Sequence, residues 1–146
     1  MNDRITAFGN QLIEMHDWLR PELADLQAGT AGSRDLRGHC LAFCSALTRH
    51  HTGEDATGFP ALARQFPELE PVIQQLTHDH EMITEILTRI ERLAGDPAGM
   101  SRELDGLAAI MESHFAYEER KIVEALNALE WDGPRPDFLT PGAPPS

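Results

Sequence analysis

One polar pattern occurs twice in this chain, and it limits the fold more than any other feature. His50 precedes Glu54 by four residues in "LTRHHTGED", and His114 precedes Glu118 by four in "ESHFAYEER". A further histidine stands 34 residues before each: 50 − 16 = 34 and 114 − 80 = 34. The two sets are related by one offset, since 80 − 16, 114 − 50 and 118 − 54 all equal 64. Apolar positions obey it too: Leu12 with Leu76, Leu19 with Ile83, Leu23 with Leu87, Leu26 with Ile90, and Leu62 with Leu126. Asp55 matches Glu119 under the same offset. The chain is read as an internal duplication of one helical hairpin that carries its polar core residues with it.

Helical spacing runs through both copies. Ile5, Phe8, Leu12, Leu19, Leu23 and Leu26 form one stripe, and Leu36, Cys40, Phe43 and Leu47 a second. Ile73, Leu76, Ile83, Leu87 and Ile90 form a third, and Leu104, Leu107, Met111, Ile122, Leu126 and Leu129 a fourth. Each fits a period near 3.6 residues, and no alternating run suggests a strand. Gly- and Pro-rich breaks are expected at "AGTAGS" (28–33), "TGFPALARQFPELEP" (57–71) and "GDPAG" (95–99), with Pro67 or Pro71 opening the third helix. Pro21 lies inside the first stripe and is expected to kink or split that helix, freeing the Asp17 carbonyl. The fold class is all-α, an antiparallel up-down four-helix bundle over residues 1–131. The Pro-rich tail 132–146 is expected to be disordered.

In an antiparallel hairpin, residues equidistant from the turn lie side by side. The midpoint of 16 and 50 is 33, that of 80 and 114 is 97, and that of 52 and 80 is 66. All three fall in expected breaks, so His16, His50, Glu54, His80, His114 and Glu118 share one layer. Each i, i+4 pair also lies on one helix face. Four imidazoles and two carboxylates left bare in a core would cost several kcal/mol each. A metal pair satisfies them, with the carboxylates bridging and the histidines terminal. Imidazole with carboxylate suits iron first, with manganese or zinc as alternatives.

At these residues the sequence resembles the hemerythrin, or HHE cation-binding, family. The pattern H…HxxxE…H…HxxxE, together with "LIEMHDWLR" and "ESHFAYEE", carries the likeness, which covers roughly residues 5–129. The resemblance implies an up-down four-helix bundle with an oxo- or hydroxo-bridged di-iron centre that binds dioxygen or related small molecules. The oxygen carriers of blood differ in two respects. They have another histidine where this chain has Leu76, and their second acid follows its histidine by five residues, which would select Glu119 over Glu118. Fewer histidines leave more open coordination, which argues against pure oxygen carriage.

Other residues keep more than one reading. His51 lies about 100° round the helix from His50, as an extra ligand, a support for one, or a surface or interhelix residue. His78 is expected in solvent, and Asp17 and Asp79 as solvated helix acids. Tyr117 either donates a hydrogen bond near the metals or packs. Cys40 and Cys44 match Leu104 and Ala108 under the offset and read as small core residues.

The 146 residues suffice for one domain, and the net charge of −12 argues against nucleic acid and anionic membranes as partners. No apolar run approaches a membrane span, the start lacks a signal-peptide pattern, and a reducing cytoplasm is expected. The first functional class is a di-iron protein that senses, stores or detoxifies dioxygen, nitric oxide or peroxide. The second is a di-iron enzyme, decomposing peroxide or oxidising a small substrate. The third is an iron buffer. No core histidine has Glu three residues before it, which disfavours the ferritin pattern. Sustained oxidase turnover would need an external reductase, whereas peroxide decomposition would not.

Overall fold

The structure is a computed structural model and describes residues 8–28, 36–93, 96–131, 136 and 139. The described residues form helices and connecting turns, with no strand among them. Helix α1 spans Phe8–Ala28 and α2 spans Leu36–Gly53. A π-helical turn, Glu54–Gly58, leads from α2 directly into α3, Phe59–Gln65. A 3-10 turn, Pro67–Leu69, then precedes α4, Glu70–Arg92, and α5 spans Pro97–Ala128.

The break expected at 57–71 is therefore mostly helical, which corrects the sequence reading. Pro60 has no N–H to offer the carbonyl four residues back, and its ring would collide with that carbonyl in a regular helix. The π-turn avoids the conflict by widening the register one residue early, with the Phe59 N–H donating to the Glu54 carbonyl. Pro60 then occupies the first turn of α3, where a missing donor is harmless. Pro71 plays the same part at the start of α4. Asp96 caps α5, its side chain accepting from the Gly99 N–H at 3.1 Å, and Pro97 opens the helix. Pro21 does not divide α1, which runs unbroken from Phe8 to Ala28. Leu19 and Leu23 on either side of it are both buried in the same core, so packing holds the helix together. The "AGTAGS" break lies largely outside the described residues, as does most of the 132–146 tail. Leu139 of that tail is fully buried, inside an apolar cluster with Phe8, Leu12 and Leu126.

Cross-helix contacts set the helix directions. Gly9 N–H donates to Asn127 Oδ1 at 2.8 Å, Arg20 Nε to Glu112 Oε1 at 3.1 Å, and Gln27 Nε2 to Asp105 Oδ1 at 3.0 Å. Residue numbers fall along α5 as they rise along α1, so this pair runs antiparallel. The Arg89–Glu103 and Asp79–His114 contacts show the same for α4 and α5. Helix α1 also packs on α2, and α2 on α4. The stripes meet in two apolar clusters. One is built around Leu19, Leu47, Ile83, Leu107 and Met111, the other around Leu12, Leu62, Leu76, Ile122 and Leu126. No helix among the described residues is long and apolar enough to cross a membrane.

Helices α1 and α5 approach closely at Gly9. A Cβ there would collide with the Val123 carbonyl oxygen, which is backbone and cannot swing aside. Gly9→Ala is expected to destabilise the fold by about 1–3 kcal/mol, read as a lower denaturation midpoint at unchanged slope. An unchanged midpoint would mean that the helices separate freely at this point.

Candidate metal centre

Between the two apolar clusters lies one polar layer. His16, His50, Glu54, His80, His114 and Glu118 are all buried, none more than 3 % exposed. The structure thus brings together all six residues that the duplicated spacing singles out, and adds His51, which is 4 % exposed. Each comes from a stripe position: His16 from α1, His50 and His51 from the last turn of α2, Glu54 from the π-turn, His80 from α4, and His114 and Glu118 from α5.

Both carboxylates span two helices. Glu54 Oε2 is 3.5 Å from His50 Nε2, and its Oε1 is 3.2 Å from His80 Nε2. Glu118 Oε1 is 3.2 Å from His16 Nε2 and 3.7 Å from His114 Nε2. The imidazoles pair likewise, His16 with His50 at 5.4 Å between ring centroids and His80 with His114 at 5.0 Å. Candidate ligand atoms fall into two groups, each within 4.8 Å: His16, His50, Glu54 and Glu118, and His51, His80 and His114.

The outward ring nitrogens are held by a second set of acids. His16 Nδ1 is 2.7 Å from Glu119 Oε2, His80 Nδ1 is 2.9 Å from Asp55 Oδ1, and His114 Nδ1 is 3.1 Å from Asp79 Oδ2. The first two contacts are copies of one another under the offset of 64, since 55 + 64 = 119 and 16 + 64 = 80. A carboxylate on Nδ1 fixes the tautomer that leaves Nε2 ready to bind a cation, and raises its basicity. Asp79 is therefore no solvated helix acid, which corrects the sequence reading: its side chain is only 18 % exposed because α5 covers it. Asp17, 64 % exposed, and His78, 63 % exposed, do face solvent. Glu119, 22 % exposed, stands behind His16 and also pairs with Arg20, whereas Glu118 enters the layer. Tyr117 packs against the Leu12–Leu126 cluster, with Arg120 and Lys121 beside its ring. Cys40 and Cys44 are buried thiols in the other cluster.

Charge in the layer is uneven. Burial and the facing charge of Glu118 push the Glu54 carboxyl well above the usual carboxylate range. Burial pushes Glu118 upward too. Close contacts with Glu54 and His16, with the charges of His16 and His114, outweigh it and hold Glu118 well below that range. The carboxylates thus share a proton as a unit. Burial would lower His16, but contacts with Glu118 and Glu119 raise it. Burial, then His80, His50 and His114, keeps His51 far down and neutral. Burial also lowers His114, against the pull of Glu118 and Asp79.

This donor set fits a cation. Inward Nε2 atoms of His16, His51, His80 and His114, and all four oxygens of Glu54 and Glu118, are buried without a hydrogen bond of good geometry. A metal ion satisfies such atoms, which otherwise cost several kcal/mol each. Helices that bury one layer of histidines and carboxylates are the mark of the helical cation-binding proteins. The family comparison is more specific. Residues 9–126 match the hemerythrin HHE cation-binding domain, and the chain belongs to that family. No curated protein and no solved structure matches it.

Cation binding must displace the protons held on Glu54 and His16. Because both groups keep their protons to higher pH than usual, acid competes with the metal. The apparent affinity for a divalent cation is expected to fall as pH drops from about 8 to about 6, with proton release on loading. A pH-independent affinity, measured anaerobically, would contradict this protonation pattern.

Proposed function

We propose that the chain forms an up-down four-helix bundle that holds two iron ions in its polar layer. The pair would bind dioxygen, nitric oxide or peroxide for sensing, storage or detoxification. The observation that carries the reading is the pairing of the layer. Glu54 reaches across from His50 to His80 and Glu118 from His16 to His114, so each carboxylate links two imidazoles on different helices. That is the arrangement two bridged ions require. The closed ring of helix contacts, α1 to α2 to α4 to α5 and back to α1, supports the bundle.

Iron held in such a layer would supply redox chemistry toward a small ligand. The chain's own residues do the rest. His16, His50, His80 and His114 would hold the ions through Nε2, and Glu119, Asp55 and Asp79 orient three of those rings. The two apolar clusters flank the layer and keep its carboxylates buried. Iron analysis with optical spectra before and after reduction, followed by dioxygen, nitric oxide and peroxide, tests the reading. Two irons per chain and spectra that respond to at least one of the three are expected. A protein that retains no iron, or iron blind to all three, overturns it.

A further inference from the structure

The duplication is broken at one position in the layer, and the break is chemical. His51 lies against His80 with ring centroids 3.8 Å apart and planes inclined by 15°. Phe115 lies against His16 in the same way, at 3.9 Å and 23°. The two pairs are copies, since 51 + 64 = 115 and 16 + 64 = 80. One half therefore stacks a hydrocarbon ring on its histidine, and the other half an imidazole. That imidazole carries a buried Nε2 with no hydrogen-bond partner, and its candidate ligand nitrogen lies within 4.8 Å of those of His80 and His114.

Two clefts repeat the asymmetry. A cleft of about 300 Å³ runs between α2 and α4, lined by four threonines, Thr48, Thr52, Thr77 and Thr84, with the acids Asp55 and Glu81, and it reaches His51 and His80. A second, of about 240 Å³, is lined by Arg20, Leu23, Glu112 and Phe115, and none of the layer histidines is in its lining. The offset maps Thr84 to Arg20, Leu87 to Leu23, Thr48 to Glu112 and His51 to Phe115. In the second cleft Arg20 lies 5.2 Å over the Phe115 ring and is tied to Glu112 and Glu119. The first cleft has hydroxyl groups in place of that ion pair.

Resting on the di-iron reading above, we propose that His51 is the hydrogen-bond donor for a small anionic or diatomic ligand that enters through the threonine-lined cleft. The ligand binds on the His80–His114 side of the layer. A ring stacked nearly parallel to His80 cannot point its nitrogen at the ion that His80 holds; it points alongside. That places an N–H within hydrogen-bond reach, about 2.6–3.2 Å, of a ligand in the adjacent coordination position. Phe115 offers no such group on the other side. The two ions of the duplicated centre are therefore unequal, and only one receives the ligand.

Azide on the di-ferric protein is the probe, compared across wild type, His51→Phe and His51→Gln. His51→Phe copies the Phe115 stack and keeps the packing, and His51→Gln restores a donor. Both variants are expected to hold two irons. Azide should bind about 10- to 100-fold more weakly to His51→Phe and recover most of the loss in His51→Gln, the range for a hydrogen bond to a charged group. The deuterium shift of the bound-azide stretch should be present in wild type and absent in His51→Phe. Unchanged azide affinity with the shift intact in His51→Phe overturns the inference alone. So does loss of one iron in that variant, which would make His51 a ligand. A wild type without an iron pair overturns the functional reading and this one with it.

Discussion

Removing the metal from loaded protein is expected to lower its melting temperature by more than about 10 °C. An ion that binds the native state and not the unfolded one stabilises by about 4 kcal/mol when present at a thousandfold excess over its dissociation constant. Two ions double that, and in a chain of this length each kcal/mol moves the midpoint by about 2–5 °C. The layer explains why the loss cannot be absorbed elsewhere. Glu54 and Glu118 are 1 % and 0 % exposed, and the imidazoles converge on them from four helices. Buried between two apolar clusters, the two carboxylates have almost no contact with bulk water. Scanning calorimetry of loaded and chelated protein under anaerobic conditions gives the difference. Equal midpoints would show that the layer is stable without a cation, and the claim of one buried centre would go.

The six inward residues were legible because a duplicated spacing is hard to produce by accident. Their level came from loop midpoints alone. His51 was not fixed by that route. Consecutive residues on a helix diverge by about 100°, which ordinarily sends one of two neighbours to the surface. Here α2 touches both α1 and α4, so it buries two faces: His50 turns to His16 on α1 and His51 to His80 on α4. A signal existed in the offset, which maps His51 onto Phe115, an aromatic residue more at home in a core than at a surface. Asp79 was hidden for a related reason. It adjoins His80 in sequence yet supports His114 on another helix, and nothing in a single chain reveals which helix covers it. The continuation of α2 through 57–65 was missed because Pro and Gly signal a break by propensity. A π-turn lets the chain pass Pro60 without one, and it carries both Glu54 and Asp55 at the point where they are needed.

On the proposed di-iron reading, Glu118→Ala is expected to abolish binding of at least one iron, while Glu119→Ala keeps both with affinity reduced about 10–100-fold. The two residues are adjacent, both acidic and both near His16, so sequence alone allows either to bridge. Geometry separates them. Glu118 is fully buried with Oε1 between the inward nitrogens of His16 and His114, at 3.2 and 3.7 Å. Glu119 meets the opposite nitrogen of His16 at 2.7 Å, reaches solvent, and shares its charge with Arg20. Removing Glu118 takes away a shared ligand, which no water can replace with the same charge. Removing Glu119 frees the His16 ring to turn and lowers its basicity, a loss of orientation rather than of a bond to the ion. Asp55→Ala should behave as Glu119→Ala does, because it performs the same task for His80 in the other copy. Iron stoichiometry and competition against a chelator of known strength distinguish the cases. Should Glu119→Ala empty the centre and Glu118→Ala leave it full, the five-residue register of the blood oxygen carriers applies, and Glu118 is only the acid behind it.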